Sequence, residues 1–280
     1  MKYSRQHVLI CYGNKLGYYH GAKYQILRGY HWLKNYDIRV VTDRPDLFYG
    51  YPINLLRLDE RQIHEWSLEG RNHFGIKLRG LHWAIESAPA HIQKSVLLDT
   101  DMYWTKDPEK VQKLIGPHSS VLYQDEGPIF GSKDASIRRY SEGLSTQRIA
   151  NDACQYELSA LSRMWRSSII GVDHSNGSVL TEAFELFRLL SPHVKAHTVE
   201  QFALGETLRN HQINLIEAKH LVGDWSSIGK KNYATPILAE FFKKFGELDF
   251  NTHLDNVHKI KIKRPISVFL KQKVDRWKKP

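Results

Sequence analysis

Apolar runs and helical periodicities alternate along the first hundred residues of the chain. Short, mostly apolar runs at residues 7–13 and 37–43 end in turn residues and predict two buried strands. A helix between them is predicted by apolar residues at helical spacing, namely Tyr19, Ala22, Ile26, Tyr30 and Leu33. A strand–helix–strand unit of this kind predicts a parallel sheet with a right-handed crossover.

The alternation continues with less regularity towards the C-terminus. Further strands are predicted at residues 53–58, 96–98, 119–123, 168–172 and 212–217. Further helices are predicted at residues 75–88, 149–165, 179–190 and 200–209. Residues 124–143 are rich in Gly, Ser and charged residues, which predicts a loop. Strands that alternate with helices predict an α/β fold.

The composition is that of a soluble globular protein. Of 280 residues, 41% are hydrophobic, 25% are charged and 11% are aromatic, so a sizeable core is available. The two cysteines, Cys11 and Cys154, have no partner at motif spacing and suggest neither a disulfide framework nor a zinc site. No signal peptide or membrane-spanning run is evident, which predicts a cytoplasmic protein.

Positive charge is in excess and is concentrated at the C-terminus. The net charge is +10, which favours anionic partners. We predict one domain at residues 1–258, with a nucleotide-binding front at about 1–125 and an acceptor-binding back at about 126–258. Residues 259–280 form a basic C-terminal appendage whose only acid is Asp275.

This appendage has the pattern of an amphipathic helix. After Pro265 its apolar residues fall near one helical face, and they are Ile266, Phe269, Leu270, Val274 and Trp277. The pattern predicts peripheral contact with an anionic membrane surface, here the inner face of the membrane. The alternative is a helix that packs on the body of the protein. No recognised nucleic-acid-binding motif accompanies the basic residues, so nucleic acid is not expected as a partner.

Two aspartates close the predicted strand at residues 96–98. In an extended segment Asp99 and Asp101 would point the same way, and their charges would repel unless a cation lay between them. Oxygen ligands favour Mg²⁺ or Mn²⁺, and ligands of open α/β sheets bind just beyond the carboxyl ends of strands. The pair therefore predicts a metal site suited to a diphosphate, with a solvated turn or helix cap as the alternative.

The order of these elements resembles a known enzyme family. A second strand that ends in Thr-Asp is followed by a helix carrying Lys77 and then by Leu-Leu-Asp-Thr-Asp-Met at residues 97–102. This order resembles the GT-A nucleotide-diphospho-sugar glycosyltransferases, particularly the glycogenin-like and bacterial galactosyltransferase-like group, over about residues 7–225. The resemblance implies a Rossmann-like, mostly parallel mixed sheet flanked by helices. It also implies hexosyl transfer from a nucleotide sugar.

The resemblance also implies a set of ligand-binding residues. His220-Leu221-Val222-Gly223 resembles the late His-x-x-Gly element of the family, so Asp99, Asp101 and His220 would hold Mn²⁺ or Mg²⁺. The nucleotide sugar would meet Tyr12, Gly13, Asp43, Lys77, Asp99, Ser168, Gly223 and Lys230. The chain departs from the family where a lysine followed by Pro-Trp is expected. Lys230 or Lys231, on a longer loop, would therefore bind the diphosphate.

Two acidic residues are candidates for catalysis. Glu200 opens a predicted helix, where many GT-A enzymes place an acid that faces the acceptor. In an inverting enzyme such an acid would be the base for the acceptor hydroxyl. The alternative is an acid stabilised by the helix dipole. Asp125, just past a predicted strand, is the rival, and the stereochemistry stays open.

The paired aspartates predict a metal site, and the resemblance implies that the protein is a metal-dependent glycosyltransferase. It would move a sugar from a nucleotide sugar, expected to be UDP-linked, to a hydroxyl of a glycan or lipid-linked acceptor, as in surface polysaccharide synthesis. The first alternative is a sugar-phosphate nucleotidyltransferase, for which residues 13–17 form a poor version of the expected Gly-rich basic loop. The second is a non-catalytic basic protein that binds a membrane or nucleic acid.

Overall fold

A computed structural model describes residues 4–145 and 148–269 of the chain. The strands are β1 Arg5–Cys11, β2 Asp37–Thr42, β3 Asn54–Arg57, β4 Lys94–Leu98, β5 Met102–Trp104, β6 Ser119–Pro128, β7 Ile149–Ala150, β8 Gln155–Tyr156, β9 Arg163–Asp173, β10 Asn214–Glu217 and β11 Val222–Asp224. The helices are α1 Leu16–Leu33, α2 Glu60–Trp66, α3 Gly75–Glu86, α4 Glu109–Gln112, α5 Ala135–Leu144, α6 Ser178–Leu190, α7 Val199–Asn210, α8 Ile228–Phe245 and α9 Phe250–Asn256.

Seven strands form a central sheet in the order β10-β6-β9-β4-β1-β2-β3. Neighbouring strands run parallel except in the two pairs made by β9, which is antiparallel to both β4 and β6. The predicted α/β fold with a mostly parallel mixed sheet is therefore confirmed. Because β1, β2 and β4 are parallel, their carboxyl ends meet at one edge of the sheet.

The sheet separates two hydrophobic cores because successive side chains of a strand point to opposite faces. In β4, Val96 and Leu98 pack into the core beneath α1 and α8, whereas Leu97 packs into the core beneath α3, α6 and α7. All three side chains are buried. The continuous apolar run that predicted this strand is thus explained by burial on both faces.

Two predicted segments differ in the structure. Residues 124–143 are not a single loop, because β6 continues through Pro128 by pairing with β9 and α5 follows. Residues 149–165 are not a helix but the strands β7 and β8 and the start of β9. The Asn151 side chain accepts hydrogen bonds from the backbone N–H groups of Ala153 and Cys154, a turn that competes with helix formation.

The C-terminal part of the described chain packs on the body. Helix α8, which the sequence pattern did not reveal, packs against α1 and carries Pro236 within it. Ile262 is buried in the same core as α1, so the packed body extends into the predicted basic appendage. Residues 270–280 of that appendage lie outside the described residues, and residues 266–269 are helical. No described helix is both long and apolar enough to span a bilayer.

Candidate active site

The two motif aspartates lie on a tight turn that connects β4 to β5. The backbone N–H of Met102 donates to the carbonyl of Asp99 at 3.0 Å, which closes the turn. The extended geometry assumed from the sequence is therefore wrong for Asp99 and Asp101, because the chain reverses as soon as the strand ends. The turn still lies at the carboxyl edge of the parallel strands, beside the end of β1.

A largely buried ammonium group neutralises the first aspartate. Lys77 on α3 places Nζ 3.0 Å from Oδ1 and 3.1 Å from Oδ2 of Asp99, and 3.3 Å from Oγ of Ser167. Burial lowers the pKa of Lys77, but the carboxylates of Asp99 and Glu200 outweigh it and the net pKa is raised, so Lys77 is charged. Burial, together with the charge of Asp101, raises the pKa of Asp99 above its ordinary value, although Lys77 opposes that rise.

A second ammonium group lies on the other aspartate. Lys231, in the first turn of α8, places Nζ 2.9 Å from Oδ2 of Asp101. Its neighbour Lys230 points instead to Asp224, with Nζ 3.1 and 3.0 Å from the two carboxylate oxygens. Of the two lysines that the sequence offered for the diphosphate, the structure brings Lys231 to the motif.

The structure does not bring His220 into this group. His220 lies exposed in the 3₁₀ turn Lys219–Leu221. Within residues 4–145 and 148–269, no three His, Cys, Asp or Glu side chains are arranged to hold a metal together. The trio of Asp99, Asp101 and His220 is therefore not assembled, because the short turn leaves the imidazole in solvent.

Gly223 has a packing reason to be glycine. In β11 it pairs with Tyr103 of β5, and a Cβ atom at this position would overlap the Tyr103 ring. That ring stacks against Trp225 with the ring centroids 5.9 Å apart. The close approach of β11 to β5 brings the start of α8, and with it Lys231, next to the motif turn.

The residues predicted to meet the base and ribose lie at the ends of β1 and β2. Gly13 has a φ of +88° and donates its backbone N–H to Oδ2 of Asp43 at 2.9 Å. The Tyr19 hydroxyl lies 2.6 Å from Oδ1 of Asp43. The Tyr12 hydroxyl donates to the carbonyl of His73 at 2.8 Å. Asp43 therefore has a structural task, since it holds the loop that follows β1 in place.

Glu200, in the first turn of α7, lies beside Lys77 and Ser167. Its side chain is almost fully buried; Oε1 accepts a hydrogen bond from Oγ of Ser167 at 3.2 Å and lies 3.8 Å from Nζ of Lys77. Its second oxygen, Oε2, is buried and has no hydrogen-bond partner among the described residues. Burial raises the pKa of Glu200 to about 7, although Lys77 acts in the opposite direction. Lys77, Asp99, Ser167 and Glu200 thus form one connected group.

Asp125 lies outside that group. Oδ2 of Asp125 pairs with Nη2 of Arg163 at 2.6 Å, and Oδ1 accepts the backbone N–H of Gly127 at 2.9 Å. Both contacts belong to the irregular end of the β6–β9 ladder. Among the described residues, none of the hydrogen bonds of Asp125 reaches Asp99, Lys77 or Glu200, so the structure separates the two acids that the sequence could not rank.

Arg166 links the sheet to the start of α8. Its Nε donates to Oγ of Ser168 at 3.0 Å and its Nη2 donates to Oγ of Ser226 at 2.8 Å. Ser226 in turn donates to Oδ1 of Asp224 at 2.8 Å. The Ser168 hydroxyl is thus already engaged by Arg166. These linked hydrogen bonds were not predicted from the sequence, because Ser226 and Asp224 belong to the segment that lacks the expected lysine followed by Pro-Trp.

The carboxylates of the turn fit a divalent cation that arrives with a diphosphate. The side chains of Asp99 and Asp101 are 27% and 21% exposed, so both are accessible to a ligand from solvent. Magnesium-type cations are usually held by one or two carboxylates together with substrate phosphates, rather than by a protein cage. Two carboxylates without a third protein ligand match that donor set.

Comparisons with known proteins support the fold. No protein-family model matches the sequence, and no curated protein sequence is significantly similar to it. The structure is similar to the galactosyltransferase LgtC in complex with donor and acceptor sugar analogs, with a TM-score of 0.53, 9% identity, and coverage of 94% of this chain and 98% of that chain. Mouse xyloside xylosyltransferase 1 matches with a TM-score of 0.45, 10% identity, and coverage of 76% of this chain and 85% of that chain. At this identity the likeness to LgtC establishes the fold alone, so the predicted GT-A fold is confirmed.

Proposed function

We propose that this protein is a metal-dependent glycosyltransferase that moves a hexose from a nucleotide sugar, UDP-linked, to a hydroxyl acceptor. The observation that carries the proposal is the arrangement around the β4–β5 turn. Asp99 and Asp101 lie there at the carboxyl edge of a GT-A sheet, and each is paired with an ammonium group. The buried Glu200 lies next to the ammonium group that pairs with Asp99. Cations and carboxylates grouped around one turn suit a metal diphosphate.

Asp99 and Asp101 would hold the divalent cation, Mn²⁺ or Mg²⁺. When bound, the cation would neutralise the charge that builds on the departing nucleoside diphosphate. Lys77 keeps Asp99 in one orientation through contacts with both of its oxygens. Lys231 has a half-exposed side chain and can turn from Asp101 to the diphosphate, which supplies a second positive charge.

Residues at the strand ends would receive the rest of the donor. Gly13 permits close approach of the base and ribose to the loop after β1, and the ring of Tyr12, the first residue of this loop, packs against His73. Asp43 fixes the loop by accepting its backbone N–H. Ser168 and Arg166, which are hydrogen-bonded to each other near the end of β9 that pairs with the end of β4, would meet the sugar hydroxyls.

Glu200 would take the proton of the acceptor hydroxyl. A base needs a pKa near the working pH and an oxygen that is free to accept the proton. Burial raises the pKa of Glu200 to about 7, and its Oε2 has no partner among the described residues. Ser167 and Lys77 hold the other oxygen, so the proton would be received at Oε2. This role belongs to an inverting reaction.

The acceptor proposed is a glycan or lipid-linked sugar at the inner face of a membrane. The net charge of +10 and the basic appendage at residues 259–280 support this, because cations interleaved with apolar residues favour an anionic surface. The proposed active site would then act on an acceptor presented at that surface.

A panel of nucleotide sugars tests the proposal. The protein is incubated with each donor in Mn²⁺, Mg²⁺ or EDTA, and release of nucleoside diphosphate is followed. Metal-dependent release that is lost in Asp101→Asn supports the proposal, and Asp46→Asn, an exposed aspartate paired with Arg44, serves as the matched control. Release of pyrophosphate from a nucleoside triphosphate and a sugar 1-phosphate, with no release of nucleoside diphosphate from any nucleotide sugar, would instead indicate a nucleotidyltransferase. Polyanion binding without any metal-dependent turnover would indicate a binding protein.

A further inference from the structure

Gln25 lies at the centre of α1 with its amide against the backbone of the motif turn. The side chain is fully buried. Its Nε2 donates to the carbonyl of Asp99 at 3.0 Å and to the carbonyl of Met102 at 3.2 Å. These carbonyls belong to the first and last residues of the turn that carries the two motif carboxylates.

The hydrogen-bond partners fix the orientation of this amide. A carbonyl can only accept, so both carbonyls require the NH₂ end of Gln25, and both of its N–H groups are used. Oε1 must then accept, and it lies 2.9 Å from Nε2 of His7. His7 is buried, which lowers its pKa to about 4, so the ring is neutral and carries its proton on Nε2.

Helix α1 is in direct contact with the same turn one helical turn earlier. Gly21 precedes Gln25 by four residues, so both lie on one face of the helix. A Cβ atom on Gly21 would overlap the carbonyl oxygen of Thr100, the residue between the two aspartates. The helix therefore supports the turn in two places, by backbone contact at Gly21 and by hydrogen bonds at Gln25.

We infer that Gln25 is a positioning residue for the carboxylates of Asp99 and Asp101, held in its own orientation by His7. The Gln25 amide bridges the carbonyls at both ends of the turn and so fixes the distance between those ends. It thereby sets the spacing of the carboxylates of Asp99 and Asp101, the first and third residues of the turn. The role in metal binding rests on the proposed function. The role in fixing the turn stands on the hydrogen bonds alone.

A buried glutamine elsewhere in the chain provides a matched control. Gln112 is 2% exposed, and neither its Oε1 nor its Nε2 has a hydrogen-bond partner among the described residues. Gln25→Met and Gln112→Met each replace a buried amide by an apolar side chain of similar length. Only the first removes donors from the motif turn.

The experiment compares these variants with the wild type in three measurements. Amide hydrogen exchange reports on residues 98–104, binding of Mn²⁺ with UDP is measured by calorimetry, and thermal unfolding reports on stability. For Gln25→Met we expect faster exchange in residues 98–104 and metal binding weaker by about 10- to 100-fold, as for other residues that orient metal ligands without touching the metal. Gln112→Met should leave exchange and affinity unchanged.

A second pair of variants keeps the inference testable if Gln25→Met does not fold. His7→Phe removes the donor to Oε1 and leaves both carbonyls untouched, and it should loosen the turn in the same direction. His7→Gln restores an N–H donor and should return exchange towards the wild type. Unchanged exchange in residues 98–104 in a folded Gln25→Met or His7→Phe protein would overturn the inference. Failure of the wild type to bind metal with UDP would count against the proposed function instead, because the exchange measurement needs neither ligand.

Discussion

The ammonium of Lys231 lies 2.9 Å from Oδ2 of Asp101, so the aspartate that the sequence marks as a metal ligand already has a cationic partner. An ammonium and a divalent cation compete for one carboxylate, since each is attracted by the same charge. The Lys231 side chain is 45% exposed and can leave Asp101 at little cost in buried surface. Metal binding and the release of Lys231 are therefore coupled in the proposed reaction.

This coupling predicts opposite effects of Lys231→Ala on two measurements. Without nucleotide, loss of the competing ammonium should raise the affinity for Mn²⁺ by about two- to fivefold, the strength of a partly exposed ion pair. With nucleotide sugar, loss of a charge-assisted hydrogen bond to the diphosphate should lower kcat/KM by about tenfold or more. Calorimetry and nucleoside diphosphate release measure the two quantities. Lys243→Ala, on an exposed part of the same helix, is the control, and a fall in both quantities would contradict the competition.

The two acidic candidates should differ in their effect on turnover. Glu200→Gln keeps the size of the side chain but removes the proton acceptor, so kcat should fall by about 10²- to 10⁴-fold. Asp125→Asn loses an ion pair with Arg163 that lies outside the cluster, and kcat should stay within about twofold of the wild type. Steady-state kinetics with the donor found in the nucleotide-sugar panel decide the matter. A large loss in Asp125→Asn with little change in Glu200→Gln would reverse the assignment.

A methyl group at Gly21 should destabilise the protein although it improves helix propensity. Ala is favoured over Gly within a helix by about 1 kcal/mol. Here the added Cβ overlaps the Thr100 carbonyl oxygen, a backbone atom that cannot rotate away, and overpacking costs about 1–3 kcal/mol or more. Urea unfolding of Gly21→Ala should show a net loss of stability. Gly116→Ala, where the nearest atom is 3.5 Å from the new Cβ, should be close to neutral.

The motif strand could be predicted from the sequence because its signal is local. The apolar run of Val96, Leu97 and Leu98 requires burial on both faces, and two aspartates close it. The segment at residues 149–165 was mispredicted because its apolar residues happen to recur at helical spacing. The turn at Asn151 and the pairing of β9 with β6 are decided by hydrogen bonds that a periodicity does not report.

The candidate site was only partly predictable, since most of its contacts join distant elements. The sequence marks Asp99, Asp101 and Lys77, but it cannot show that Lys231 reaches Asp101, because α8 follows a segment that departs from the family pattern. A glutamate is ordinarily exposed, and it is almost never fully buried unless it is paired. The burial of Glu200 arises only when α7 packs against β9 and α3 supplies an ammonium group.

Removal of the basic segment after Arg264 should weaken association with anionic vesicles. A Lys or Arg near an anionic surface contributes about 1 kcal/mol, so deletion of residues 265–280 should lower partitioning by about tenfold or more, and the difference should vanish on neutral vesicles. Cosedimentation with vesicles of each kind provides the measurement. The control is the double variant Lys243→Ala and Lys244→Ala, which removes charge from α8. Equal partitioning of the truncated and full-length proteins would favour a segment that packs on the body.

The raised pKa of Glu200 should make the protein less stable as the pH rises. The carboxyl has an ordinary pKa of 4.5 in the unfolded chain and a pKa of about 7 in the folded protein, because burial disfavours its charged form. A raised folded pKa gives a stabilising contribution that is complete below the unfolded pKa and is lost as the pH rises through the folded pKa. Glu200→Gln removes this dependence. A pKa shift is equivalent to about 1.4 kcal/mol per pH unit. Relative to the wild type, the free energy of unfolding of the variant should therefore rise by up to about 3 kcal/mol between about pH 5 and pH 8.

Urea unfolding at a series of pH values measures this gain. Below about pH 4.5 the free energies of unfolding of wild type and Glu200→Gln should differ by a constant amount, because Glu200 is protonated in both the folded and the unfolded chain. Above that pH the two curves should diverge, because Glu200 ionises in the unfolded chain but stays protonated in the folded one. Glu65→Gln, at an exposed position on α2, should follow the wild type at every pH. Parallel curves for wild type and Glu200→Gln from pH 5 to pH 8 would show that the Glu200 carboxyl is already ionised at acidic pH. The buried oxygen would then hold a charge rather than a proton, and the argument for Glu200 as the base would lose its energetic support.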